Sequence, residues 1–244
     1  MKTKIAIRNL KKSFGSKVVL DGVDLDIEEK KMLVILGKSG VGKSVLIRII
    51  STLLEPDEGT ITIDGKNILN LNEKNRFNLM DKFGFLFQNG ALFDSLTIWE
   101  NIAFKLINNR GMTRAEAKKI AIQKLEIVDL NDSVADLYPQ ELSGGMQKRV
   151  ALARAIACDP EIIFFDEPTT GLDPITAEKI NNLMVKTTNI TGATAITITH
   201  DIRSARMISD RIVFLNEGKI CWDGDNSTLD KADNDFVRRF LLIE

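Results

Sequence analysis

The sequence carries almost no net charge: 33 Lys+Arg stand against 34 Asp+Glu in 244 residues, a formal −1. A dedicated nucleic-acid binder carries a basic footprint, and none is found here. Long apolar runs are missing too. The longest, Met32–Leu36 and Ile162–Phe165, fall far short of the ~20 residues that a membrane-spanning helix needs. Arg48 interrupts the apolar stretch 45–54, and the first twelve residues alternate charged with apolar side chains, so neither a span nor a signal peptide is expected. The two cysteines, Cys158 and Cys221, form no CxxC pair, which argues against a disulfide framework and a metal site. No internal repeat or low-complexity segment occurs. These absences together lead to the expectation of a cytosolic protein with reduced thiols.

What is present is enough to bury a core, with 44% hydrophobic and 27% charged residues. The length fits one large domain or two small ones. Four apolar runs end in polar residues or glycine: 32–36 before Gly37, 83–87 before Gln88, 162–165 before Asp166 and Glu167, and 195–199 before His200. Such runs, without alternation, fit strands covered on both faces. With helical patterns between them they predict a parallel α/β sheet, whose ligand lies beyond the carboxyl ends of the strands. From about Leu106 to Cys158 the segment contains helical patterns and no convincing strand. Thr113 and Glu116 form a capping box, Ala117, Ala121, Leu125 and Val128 recur at helical spacing, and Ser143 can cap a second helix that runs to Cys158. The first ~30 residues and Thr60–Ile68 alternate like strands of a small antiparallel sheet.

The segment Gly37-Lys38-Ser39-Gly40-Val41-Gly42-Lys43-Ser44 matches G-x-x-x-x-G-K-[ST] between an expected strand and an expected helix. Its glycines let successive N–H groups turn toward phosphate oxygens, and the following helix aims its dipole at the same anion. Lys43 can reach the β- and γ-phosphates, and the Ser44 hydroxyl can ligate Mg²⁺. Asp166 would hold Mg²⁺, and Glu167 would orient or deprotonate the attacking water. His200, the only histidine, ends an expected strand one helix-plus-strand unit beyond Glu167, within reach of a γ-phosphate.

With Leu142-Ser143-Gly144-Gly145-Met146 about twenty residues before Asp166, the chain resembles the ATPase subunit of an ABC transporter, over roughly residues 3–240. The resemblance implies a phosphate-loop NTPase cassette: a RecA-like parallel core with the antiparallel sheet (1–88 and 159–225), an inserted helical subdomain (89–158) and a tail (226–244). It implies that Phe14 stacks on adenine, that ATP contacts run from Gly37 to Val45, and that Gln88 senses Mg²⁺. Lys43, Glu167 and His200 would be the catalytic side chains. The Ser143-Gly144-Gly145 loop and Asp173 would face the ATP of the opposite subunit, so that a homodimer sandwiches two nucleotides.

Three stretches look like the ATPase of the Mla/Mce group of lipid transporters: Ser44-Val45, residues 88–104, and the tail 233–240. That group implies a multi-pass permease, an Mce-domain substrate-binding protein and a peripheral place on the cytoplasmic face of the inner membrane. Phe93 and Trp99 are the expected partner contacts. The alternatives are a cassette serving another transported substrate and a non-transport iron–sulfur assembly ATPase.

Overall fold

The computed structural model describes residues 2–242. In chain order the strands are β1 (Thr3–Phe14), β2 (Lys17–Glu28), β3 (Met32–Leu36), β4 (Glu58–Ile63), β5 (Lys66–Asn67), β6 (Phe83–Leu86), β7 (Ile162–Asp166), β8 (Thr194–Thr199), β9 (Arg211–Asn216) and β10 (Lys219–Gly224). The helices are α1 (Lys43–Ile50), α2 (Glu73–Asp81), α3 (Ile98–Asn108), α4 (Arg114–Ile127), α5 (Gly144–Ala155), α6 (Pro174–Thr191), α7 (Ile202–Ile208), α8 (Asn226–Leu229) and α9 (Asp235–Leu242). Contacts divide the chain into two compact units: residues up to Met80 with those from Thr194 onward, and Asp81–Ala193. These contacts group β6 and β7 with the helical segment.

The first unit holds an antiparallel sheet in the order β2-β1-β4-β5, in the region where the sequence alternates. Gly15, at φ 59, closes the tight β1–β2 turn, a left-handed position that glycine takes without strain. The unit's second sheet places β3 between β9 and β8, all parallel, with β10 antiparallel beside β9. Every residue of β3 and β8 is buried, which is why neither strand alternates. Helix α9 packs Phe236 and Phe240 edge-on against Phe214 of β9, at 6.3 and 5.3 Å between ring centroids.

In the second unit β6 and β7 run parallel, from Phe83 opposite Ile162 to Leu86 opposite Phe165. Phe83 and Phe85 both pack on Phe164, at 5.3 and 5.0 Å. Helices α3, α4 and α5 pack on one another, and α5 covers β6. The approach is so close that a Cβ at Gly84 would lie 2.3 Å from the Ala155 carbonyl oxygen. Helix α4 starts at the capping box of Thr113 and Glu116, as the sequence predicts. Helix α5 starts at Ser143 and ends at Ala155, short of Cys158, where Asp159 turns to φ 47 before Pro160.

Helix α3 adds an element inside the apolar stretch 88–104. Trp99 lies on it and is only 7% exposed, covered by the Arg114 guanidinium at 4.8 Å and the Lys118 ammonium at 5.5 Å. It is therefore a core residue, and the expectation that it contacts a partner is corrected. Phe93 stays 43% exposed and packs on Phe104 at 4.7 Å.

Candidate active site

In the first unit the phosphate loop leaves β3 at Gly37 and enters α1 at Lys43. Gly37 sits where a Cβ would meet the Leu215 carbonyl oxygen at 2.4 Å. Gly42, the residue before α1, has φ 113, which an L side chain rarely adopts. The Lys43 ammonium is buried and donates to the carbonyls of Gly37 at 2.6 Å and Lys38 at 3.2 Å. Lys38, Ser39 and Gly40 are exposed, and Val41, Ser44 and Val45 are partly so. The Lys38 ammonium stands 5.9 Å from the Phe236 ring of α9.

His200 reaches the same neighbourhood by register. Leu36 pairs with Thr199 across β3 and β8, so Gly37 and His200 each leave the end of adjacent parallel strands by one residue. His200 is exposed there. Phe14, at the end of β1, is 50% exposed, with the Lys12 ammonium 5.5 Å from its ring. Its hairpin partner strand runs past the phosphate loop: a Cβ at Gly42 would touch Val19 at 2.9 Å. The hairpin that carries the exposed ring thus passes the phosphate loop, and the histidine leaves the strand beside it.

The second unit gathers a further group of motif residues. Because Leu86 pairs with Phe165, the segments carrying Gln88 and Asp166–Glu167 leave neighbouring strand ends. Gln88 is exposed. Glu167 has φ 47, a left-handed backbone that a glutamate adopts only under strain. The Thr170 hydroxyl donates to its carboxylate at 3.0 Å and fixes its direction. Ser143 caps α5, its hydroxyl accepting from the Met146 amide at 3.3 Å. Asp173 caps α6, accepting from the Thr176 amide at 3.0 Å. Hydrogen bonds from Thr176 hold the Asp173 carboxyl below its usual pKa. A Cβ at Gly145 would lie 2.7 Å from the Thr176 methyl, so the Ser143 loop and the Asp173 cap adjoin. Gly144 opens onto free space.

Two residues of this unit carry no sequence motif. Lys148 and Arg154 of α5 hold the loop after β6. Lys148 donates to the Gln88 carbonyl, and Arg154 to those of Ala91 at 2.7 Å and Gly90 at 2.6 Å. Burial pulls the Lys148 ammonium below its ordinary pKa, while the nearby Asp166 charge pulls it up. Burial alone lowers the Arg154 guanidinium to about 10. The only hint in the sequence is that Lys148, Arg149 and Arg154 interrupt a helix otherwise rich in Ala, Val and Leu.

The ABC transporter family model matches residues 20–170, more than half of the chain. The chain belongs to the ABC transporter family. It is the ATP-binding, ATP-hydrolysing cassette of a membrane transporter, and cassettes of this family dimerise and pair with permeases. Among relatives, it is 35% identical over 240 residues to the intermembrane phospholipid transport system ATP-binding protein MlaF of Haemophilus influenzae, covering 98% of this chain and 90% of that one. It is 38% identical over 237 residues to the probable ribonucleotide transport ATP-binding protein mkl of Mycobacterium leprae, covering 97% and 68%. It is also 38% identical over 240 residues to the methionine import ATP-binding protein MetN of Legionella pneumophila, covering 98% and 70%. The dimeric bacterial ABC transporter cassette MJ0796 superposes with a TM-score of 0.82 at 37% identity, covering 91% of this chain and 98% of that one. The same cassette in a post-hydrolysis state, bound to ADP and Pi, matches equally well.

No described helix is long and apolar enough to cross a membrane, as the sequence suggests.

Proposed function

We propose that this cassette powers the movement of phospholipids or related lipids between membranes of a bacterial envelope. In this reading a homodimer docks on a multi-pass permease at the cytoplasmic face of the inner membrane, with an Mce-domain protein as the substrate-binding partner. The observation that carries it is the near end-to-end match to a phospholipid transport ATPase, over 98% of this chain and 90% of the relative. Segment 89–158 acts as the helical subdomain, and Phe93 with Phe104 offers the permease an exposed aromatic surface. A second reading, amino-acid import, is supported by the 38% identity to a methionine import cassette.

The proposed chemistry is positioning plus charge stabilisation. Adenine stacks on Phe14, and the backbone amides of residues 37–45 cradle the phosphates at the start of α1. Lys43 turns its ammonium to the β- and γ-phosphates. Glu167, aimed by Thr170, takes the proton of the attacking water. His200 holds the γ-phosphate. Ser143, Gly144, Gly145 and Asp173 serve the nucleotide of the opposite subunit, where the exposed start of α5 supplies free amides.

Mg²⁺ suits the chemistry of the residues that this reading assigns to it. Ser44, Gln88 and Asp166 offer hard oxygens, and no cluster of three His, Cys, Asp or Glu exists among the described residues. That suits an ion that takes one or two carboxylates and completes its shell with phosphates and water. When bound it would neutralise charge on the transferred phosphoryl group.

The test is to tag the chain in its native cell, extract with mild detergent, and identify co-purifying proteins and lipids by mass spectrometry. A permease, an Mce-domain protein and enriched phospholipid support the proposal. A different permease with a solute-binding protein moves the substrate, and soluble partners alone overturn the transport reading.

A further inference from the structure

The loop that follows β6 is held to α5 through its backbone. The Gln88 carbonyl accepts from Lys148, and the Gly90 and Ala91 carbonyls accept from the two arms of Arg154. Both cations are costly choices. Lys148 is 6% exposed, and Arg154 is partly buried. Arg154 has no ion-pair partner among the described residues, and the Asp166 charge near Lys148 only partly offsets the cost of burying its ammonium. A buried cation without a counter-ion is unfavourable, and an apolar side chain of similar length fills such space more cheaply. The rest of this helix face shows that option taken, with Ala151 against Gly90 and Ala155 against Gly84. The charges therefore have to be explained by what they hold. They hold three carbonyl groups of one turn, those of Gln88, Gly90 and Ala91, which no neighbouring strand satisfies.

Helix α5 also begins at the Ser143 loop. There Gln147 donates to the carbonyls of Pro139 at 2.8 Å and Leu142 at 3.2 Å, which fixes the chain just before the cap. One short rigid rod thus grips the Ser143 loop at its start and the Gln88–Ala91 turn along its side. Asp166 lies close enough for its charge to act on Lys148.

We propose that Lys148 and Arg154 are positioning residues that lock the Gln88–Ala91 turn to α5. Displacement of that turn is then delivered to the Ser143 loop without slack. The proposal rests on the ATPase reading of the site, and it adds two residues that act through Gln88 rather than on the nucleotide. Arg154 supplies the geometry, because its planar fork spans two adjacent carbonyls and a lysine reaches them only one at a time. Lys148 supplies the link nearest Gln88 itself.

The experiment uses the full chain as Lys148→Met, Lys148→Arg and Arg154→Lys. Arg149→Ala is the control, since Arg149 is on the same helix but donates to the Asp129 carbonyl. Hydrogen exchange is read on the peptide 87–97, where the amides of Gly90, Phe93 and Leu96 are bonded. ATPase kinetics are read against ATP and against Mg²⁺, with and without Gln88→Ala. The expected result is faster exchange in 87–97 for Lys148→Met and Arg154→Lys, with α5 unchanged and Lys148→Arg close to wild type. Their kcat falls roughly 10- to 100-fold at nearly constant KM for ATP, as misplacement of a supporting group predicts. The Mg²⁺ half-saturation rises, and the loss does not deepen when Gln88→Ala is added. Wild-type exchange in both variants overturns the proposal. So do losses that multiply with that of Gln88→Ala, because they mark an independent structural role. A wild-type chain that binds ATP but never hydrolyses it sinks the ATPase reading instead, and the exchange measurement still decides whether the turn is locked.

Discussion

At the scale of single residues, the site depends on groups in unusual states. Lys43 is buried against two carbonyls of its own loop. Lys43→Ala is expected to remove ATP binding, measured by equilibrium titration with a fluorescent nucleotide, while the fold melts normally. Glu167 occupies a left-handed backbone that costs an L residue about 1–2 kcal/mol. Glu167→Gly is therefore expected to be at least as stable as wild type by thermal melting, yet to hydrolyse no ATP. A large fall in melting temperature would show that Glu167 serves the fold instead. The sequence could nominate these residues because the chemistry proposed for them is written in short strings: the loop 37–44, the Asp166–Glu167 pair, and Ser143-Gly-Gly. It could not nominate Lys148 and Arg154, since their partners lie 60 to 64 residues away along the chain.

At the scale of elements, legibility followed burial. Strands β3 and β8 are buried throughout and read as unbroken apolar runs, and α4 announces itself by its capping box. Helix α2 buries no residue, so it leaves no period to detect. Helix α3 is apolar on several sides, which hid its helical spacing and made Trp99 look like a surface contact. Its start depends on Glu100, whose carboxyl is held below its usual pKa by the Thr97 amide and by Arg114. A carboxyl lowered by folding stabilises the protein above its unfolded pKa and loses that contribution as pH falls. The stability gap between wild type and Glu100→Gln should therefore narrow as pH drops below the 4.5 of a free glutamate. Melting curves between pH 3 and 7 check it, and a constant gap would contradict it. The approach of α5 to β6 gives a larger effect. Gly84→Ala is expected to cost about 2 kcal/mol and lower the melting temperature by roughly 4–8 °C.

At the scale of the whole molecule, the sequence order of motifs foretold the family, because each motif ends a strand or opens a helix and so survives translation into the fold. What it could not foretell was how contacts group the elements, since strand pairing such as β6 with β7 joins residues about eighty positions apart. The homodimer is the property to test at this level. Glu167→Gln with ATP is expected to sediment as a stable dimer and to return to monomer when ATP is replaced by ADP. A monomer under both conditions would contradict the sandwich. In the proposed reading, removal of the γ-phosphate contacts on hydrolysis would release such a dimer, and that release would be the stroke delivered to the permease.

Gly84 has a consequence for how a mutational scan of this cassette would look. It touches no nucleotide and belongs to no motif, yet only hydrogen fits between β6 and the Ala155 carbonyl. Its column would be as blank as those of the phosphate loop. Intolerance at that position records a distance between two backbones, and a map of vital positions that ignored this would draw the active site too large.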